Sequence, residues 1–229
     1  MTKNLSKRII TSLFLLLILF IVNFSHNLIF ILTILIIGMI ICVEANKLYL
    51  KILASNYSNQ KKFTKKFNLN FLILNIITFC YVFFIFCQYS YKIHEIEGPI
   101  FFLYIICICF FTDIGGYIFG KTFGGKKLTK ISPKKTISGS IGSFIFAIFS
   151  LIIFVNLDYL NLQFNQNNII FCFFVSLISQ IGDLFISYLK RKAKIKDTGK
   201  ILPGHGGVLD RLDGIIFAVP FSYLILKLI

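Results

Sequence analysis

The sequence predicts an all-α, polytopic membrane helix bundle of about seven transmembrane helices, and three observations carry that prediction. Apolar residues make up 57% of the 229-residue chain, with a mean hydropathy of +0.83. Several apolar runs approach the roughly 20 residues that a helix needs to cross the hydrocarbon core. The basic residues are confined to alternate connecting segments, as the positive-inside rule demands of a multi-span protein.

Hydropathy places candidate helices at about 9–24, 28–45, 69–88, 99–119, 140–158, 168–189 and 211–229, with seven to nine spans in all as the expected range. The first follows Lys3, Lys7 and Arg8; no A-x-A-like cleavage site comes after it, so it reads as an uncleaved span and not as a signal peptide. The second is separated from it by Asn23, Ser25, His26 and Asn27, polar groups that are costly in lipid unless the chain turns at the interface. The third comes after an Asn-, Ser- and Lys-rich cytoplasmic loop at 55–68. The fourth carries Asp113 and Gly116-x-x-x-Gly120, a spacing suited to close helix packing. The fifth follows a lysine-rich loop, the sixth contains Asp183, and the seventh starts where the longest polar stretch, Ser187 to Asp213, ends.

Charge gives an independent check on this topology. Of 24 lysines and arginines, only Lys92 and Lys227 lie outside the N-terminal segment and the segments 47–66, 121–135 and 190–211. The N-terminus and the basic loops are therefore expected in the cytoplasm, with the C-terminus on the other side. A net charge of +15 could suggest nucleic acid, but such binders carry a basic face on a water-soluble fold; here the bases sit between spans, and no nucleic-acid partner is expected. The six cysteines lie inside apolar runs without paired spacing, which fits small buried residues better than a metal or disulfide framework. The chain reads as one integral membrane domain. Helices of 1–112 precede a catalytic region at 113–229 with cytoplasmic loops at 121–138 and 190–210. A short chain without a targeting extension points to a bacterial inner membrane.

Nine acidic residues are present. Glu95, Glu97 and Asp158 fall in exterior loops. Glu44, Asp113, Asp183, Asp197, Asp210 and Asp213 lie within spans or at their cytoplasmic ends, where an ionisable group is expensive enough to suggest function. Helical spacing puts Gln180, Asp183, Ser187 and Lys190 on one face. A structural Asp183 would be neutralised by one lysine or held by a helix-helix hydrogen bond; Asp210 and Asp213 downstream favour metal ligation instead. Asp210 and Asp213, three apart at the start of the last predicted span, would share a helix face. Carboxylates crowded together repel or take up protons unless a cation sits among them, and a hard divalent ion such as Mg²⁺ takes oxygen ligands together with substrate phosphates. Between these acids runs Pro203-Gly204-His205-Gly206-Gly207, a loop whose backbone can approach a ligand and cradle phosphate oxygens. Gly124-Gly125-Lys126-Lys127 and Ser132-Pro133-Lys134-Lys135-Thr136 form a second lysine-rich stretch able to neutralise phosphates.

The segment 187–213 resembles the signature of the phosphatidate cytidylyltransferases, the CDP-diacylglycerol synthases. Ser187, Leu189, Lys190, Arg191, Lys196, Asp197, Gly199, Leu202, Pro203, His205, Gly206, Gly207, Val208, Asp210, Arg211, Leu212 and Asp213 meet it. Upstream, Gln180-Ile181-Gly182-Asp183-Leu184, Asp113 with Gly116-Tyr117 and Gly120, and Ser132 to Thr136 extend the resemblance over about 113–229. Where the family usually has Trp-Glu-Gly after S-P-K-K-T, this chain has Ile137-Ser138-Gly139, so Ser138 is not assigned to the site.

The resemblance implies transfer of CMP from CTP to phosphatidate, giving CDP-diacylglycerol and pyrophosphate, with Mg²⁺ and a possible second, monovalent cation. It implies a metal site of Asp183, Asp210 and Asp213. Lys190, Arg191, Lys196, Asp197, His205 and Arg211 complete the catalytic set, and Asp113, Ser132, Lys134, Lys135, Thr136, Ser187, Gly206 and Gly207 contact substrates. CTP from the cytoplasm, phosphatidate from the bilayer and membrane lipids are the expected partners, with a homodimer possible. A CTP-using polyprenol or dolichol kinase is the nearest enzymatic rival. A CDP-alcohol phosphatidyltransferase would need a D-G-x-x-A-R core, which the sequence lacks, and a small transporter would place its charges on broken helices at the midplane.

Overall fold

A computed structural model describes residues 2–56, 63–129, 132–157, 160, 162–199, 201–202 and 206–228. Among these the chain is helical without strands: α1 (Thr2–Asn23), α2 (Asn27–Asn56), α3 (Phe63–Cys80), a π-helical segment (Tyr81–Cys87), α4 (Gln88–Ile96), α5 (Pro99–Thr122), α6 (Ile137–Leu157), α7 (Gln166–Lys192), the one-turn α8 (Leu209–Leu212) and α9 (Ile215–Leu226). Among the described residues five stretches, Asn27–Ala54, Leu69–Ile96, Pro99–Thr122, Ile137–Leu157 and Gln166–Lys192, are long and apolar enough to cross a membrane. The protein is an all-α, polytopic membrane protein. Along α2, Leu32, Ile36, Met39 and Val43 are exposed, a continuous apolar surface that hydrocarbon matches and water would penalise.

The last predicted span is shorter than the rest: α9 has 12 residues with Pro220 inside it, about 18 Å at 1.5 Å per residue against a core of about 30 Å. The expected helix over 211–229 is in fact broken: α8 ends at Leu212, Asp213 and Gly214 form a turn, and α9 begins at Ile215. Asp210 and Asp213 therefore do not share the face of one helix. The cause is tertiary. Gly214 packs directly on Ser179, whose carbonyl oxygen would lie 3.0 Å from any Cβ at that position, and the Gly214 amide donates to Asp213 Oδ1 at 3.0 Å.

The contacts divide the chain into two compact units, Met1–Gln88 with Tyr188–Leu212, and Tyr89–Ser187 with Asp213–Ile229. In the first unit, Leu48 and Ile52 of α2 bury against Ala193, with Tyr49, Leu189 and Ile195 packed around them. The end of α7 makes that packing possible. Lys194 adopts φ 54°, the Lys194 amide donates to the Arg191 carbonyl and the Ile195 amide to the Lys190 carbonyl, both at 3.0 Å. This is a Schellman stop, with Ile195 making the hydrophobic contact that accompanies it. Tyr49 and Thr78 share a 2.7 Å hydrogen bond between α2 and α3, and the π-helical segment lays Val82 and Cys87 against Gly38 of α2.

In the second unit α5 and α6 pack at their glycines. A Cβ on Gly139 would sit 2.8 Å from the Gly116 carbonyl oxygen, and one on Gly142 would sit 2.8 Å from that of Gly115. The predicted Gly116-x-x-x-Gly120 stripe is where this approach occurs, with Gly120 facing Thr136 Oγ1 and Gly139. A polar ladder runs beside it. Ser143 Oγ donates to the Thr112 carbonyl at 2.8 Å, Thr112 Oγ1 to Ser176 Oγ at 2.9 Å, Ser140 Oγ to Gln180 Oε1 at 2.6 Å, and Gln180 Nε2 to Ser176 Oγ at 3.3 Å. These bonds satisfy polar groups that hydrocarbon cannot and fix the rotation of α7 about its axis. Gly142→Leu should therefore cost about 1–3 kcal/mol by overpacking and lower the thermal midpoint of the detergent-purified protein. Ile145→Ala, on the exposed surface of α6, should leave that midpoint nearly unchanged.

Candidate active site

The predicted site residues fall into two polar clusters, one in each unit. The first is built on Asp210, at the start of α8, whose side chain is only 6% exposed. Lys190, in the last turn of α7, donates to its Oδ1 at 2.9 Å. Its Oδ2 accepts the Thr198 amide at 2.7 Å, the Gly207 amide at 3.0 Å and the Thr198 hydroxyl at 3.1 Å. Burial pushes this carboxyl up, but the Gly207, Lys190 and Thr198 hydrogen bonds outweigh it and hold the group below the usual carboxylate range.

Asp210 thereby organises the loop that carries the predicted phosphate contacts. Leu202 and Gly206 exchange backbone hydrogen bonds at 2.9 and 3.2 Å as an isolated bridge. Gly206 has φ 92° and a Cβ there would crowd Asp210 Oδ2 at 3.0 Å, so the position needs glycine twice over. Pro203, Gly204 and His205 lie outside the described residues. Arg191, Lys196, Asp197 and Arg211 are all exposed, so three cations surround an ordered loop without being buried in it.

Glu44 of α2 is the residue that the sequence reading left without a role. It is completely buried and accepts the Leu209 amide at 2.9 Å and the Thr198 hydroxyl at 3.0 Å on Oε2, and the Val208 amide at 3.2 Å on Oε1. The only signal for it in the sequence was an acid inside an apolar span.

The second cluster centres on Asp183 in α7. Its Oδ2 forms an ion pair with Lys135 Nζ, and its Oδ1 accepts the Ser187 hydroxyl at 3.2 Å. The structure thus pairs Asp183 with one lysine and one hydroxyl. Asp213 belongs to the same unit. Gly182, the residue before Asp183, lies against its backbone, so that a methyl there would come within 2.8 Å of the Asp213 carbonyl oxygen.

Lys135 is delivered by the loop before α6. Gly124 and Gly125, at φ 57° and 97°, reverse the chain after α5. The Leu128 amide then donates to the Lys135 carbonyl at 2.8 Å and the Ile137 amide to the Lys126 carbonyl at 3.0 Å. Thr136 starts α6 as a helix cap, its Oγ1 accepting the Gly139 amide at 3.1 Å. Ser138, which replaces the family's acidic residue, donates to the Gly124 carbonyl and lies 3.0 Å from Thr136 Oγ1; it braces the loop. Ser132 is half-buried, its amide donating to Thr129 Oγ1 at 3.3 Å, while Lys134 and Asp113 are exposed.

Among the described residues no three His, Cys, Asp or Glu side chains form a group able to hold a metal ion. Mg²⁺ asks for less, since one or two carboxylates with phosphate and water oxygens complete its shell. Asp183 and Asp213 fit that smaller requirement by donor chemistry. Asp183 and Asp210 each accept on both oxygens, Asp183 from Lys135 and Ser187, Asp210 from Lys190, Thr198 and Gly207.

A sequence model of the cytidylyltransferase family matches residues 46–229, four-fifths of the chain. The chain belongs to the cytidylyltransferase family. Its curated relatives include the phosphatidate cytidylyltransferases of Rickettsia bellii, 48% identical over 126 residues covering 52% of this chain and 54% of the relative, and of Bacillus subtilis, 38% identical over 149 residues covering 62% and 53%. That of Staphylococcus aureus is 44% identical over 134 residues covering 57% and 50%. The chain spans about half the length of the curated relatives it matches. Both polar clusters of this cytidylyltransferase-family chain lie inside the matched region, apart from Glu44, which precedes it by two residues.

Proposed function

We propose that the protein is a phosphatidate cytidylyltransferase of a bacterial plasma membrane, its basic loops in the cytoplasm, transferring CMP from CTP to phosphatidate. The observation that carries the reading is the loop 196–211. Its fold is held by inward carboxylate hydrogen bonds from Thr198, Gly207, Val208 and Leu209, which leaves Lys196 and Arg211 turned to solvent where phosphates arrive. The names of the relatives from Rickettsia bellii, Bacillus subtilis and Staphylococcus aureus support the same substrate pair.

The chemistry asks little of a general base. A phosphatidate phosphate oxygen is already anionic; it forms a bond to the α-phosphorus of CTP as the bond from that phosphorus to the β-phosphate bridging oxygen breaks, and pyrophosphate leaves. What must be supplied is positive charge and position. Lys190, held by Asp210, and the exposed Arg191, Lys196 and Arg211 supply cations to the nucleotide phosphates, with the Gly206 turn letting backbone approach them. Lys135, held by Asp183, supplies a cation to the lipid phosphate or to pyrophosphate. Mg²⁺ on Asp183 and Asp213 would neutralise phosphate charge as it develops. His205, Ser132 and Lys134 are assigned to phosphate contacts on the strength of the resemblance.

Incubation of the purified protein with CTP, phosphatidate and Mg²⁺ should release pyrophosphate. Release of CDP with a phosphorylated lipid would establish a kinase instead.

A further inference from the structure

We propose that Glu44 is a positioning residue that locks the nucleotide-handling loop from within a membrane-spanning helix, an inference that rests on the cytidylyltransferase reading. It belongs to α2 and lies two residues before the region shared with the family. A fully buried carboxylate in such a helix is costly unless something compensates it, and the compensation identifies what it is for. Its three donors among the described residues, Thr198 Oγ1, the Val208 amide and the Leu209 amide, come from the loop, at 3.0, 3.2 and 2.9 Å. The sequence separations are 154, 164 and 165 residues.

The positions of those donors matter more than their number. Thr198 precedes the Leu202–Gly206 bridge, while Val208 and Leu209 follow it. Glu44 therefore holds the backbone on both sides of the Leu202–Gly206 bridge. Gly199 and Gly207 are shaped to it, since a Cβ on either would strike the Glu44 carboxylate. Thr198 is shared further. Its hydroxyl lies 3.0 Å from Glu44 Oε2 and 3.1 Å from Asp210 Oδ2, its amide 2.7 Å from the latter. The single hydroxyl hydrogen serves one carboxylate at a time, so Glu44 and Asp210 hold one joint of the loop from two sides. With the backbone so held, Lys196 and the Gly206 backbone keep fixed places for phosphate oxygens; with it released, both drift, and misplacement by an ångström is enough to lose binding and rate.

Glu44→Gln keeps the volume but turns an amide N–H₂ toward donors that need acceptors, and Thr198→Val removes one of the three bonds. Two readouts on the full-length detergent-purified chain decide the matter. Trypsin cleavage within 196–211 should speed up by about tenfold in Glu44→Gln and by less in Thr198→Val, as local opening becomes easier. In turnover assays the KM for CTP should rise by about tenfold or more in Glu44→Gln, while the KM for phosphatidate stays within about twofold, a split that a loss of folded protein does not produce. Wild-type cleavage rates in both variants, or accelerated cleavage with an unchanged KM for CTP, would overturn the proposal. An inactive wild type would refute the cytidylyltransferase reading alone, with the cleavage rates still deciding whether Glu44 anchors the loop.

Discussion

Asp213→Asn should abolish CTP-dependent product formation, by about a thousandfold or more, while the protein still inserts and folds. The size follows from the role. A carboxylate that holds Mg²⁺ against transferring phosphates contributes several kcal/mol to the transition state, and each 1.36 kcal/mol is a factor of ten. Folding should survive because Asn keeps a side-chain oxygen for the Gly214 amide, which now donates its hydrogen bond to Asp213 Oδ1. The packing of Gly182 and Gly214 at this turn involves the backbone and Ser179, not the carboxylate. Turnover and thermal midpoint measured side by side check both halves. Wild-type turnover by purified Asp213→Asn protein would remove Asp213 from the metal assignment.

Asp210→Asn should behave differently, losing stability as well as activity. Lys190 and Asp210 pair at 2.9 Å with side chains 13% and 6% exposed, and removing one partner of such a pair leaves an uncompensated charge at a cost of about 3 kcal/mol or more. For a chain of this length that corresponds to a fall of about 10 °C in the thermal midpoint. Adding Lys190→Met should recover part of the stability and none of the activity, since the second change removes the orphaned charge but not the need for it. The acid side of the stability curve should change too. The carboxyl of Asp210 is held below its usual value of 3.8, so its contribution is complete above that value and disappears as pH falls through the lower, folded-state one. Asp210→Asn should lose this component of acid destabilisation; an unchanged midpoint in the variant would contradict the assignment.

Most of the architecture was legible because membrane spans declare themselves locally. Each long apolar run specifies a helix without reference to the rest of the chain, and Gly116-x-x-x-Gly120 marked the α5–α6 contact because small residues are what close packing needs. The polar residues of the site were legible by type and spacing as well, from Lys190 to Asp213. What they hold was not. The amide donors of Asp210, Thr198 and Gly207, are backbone groups that any sequence supplies, so no residue pattern announces them. The break at Asp213–Gly214 depends on Ser179, 35 residues earlier, accepting a glycine against its backbone. Glu44 was the least legible of all, since its partners lie more than 150 residues away and no local pattern connects an acid in α2 to a loop before α8.

The central claim is that CMP passes from CTP to a lipid phosphate, and the fate of the α-phosphorus tests it most directly. With CTP labelled at the α-phosphate, purified protein, Mg²⁺ and phosphatidate vesicles, the label should move into the organic phase as CDP-diacylglycerol, one for each pyrophosphate released. Label that stays in the aqueous phase as CDP, with or without a newly phosphorylated lipid, would contradict the account.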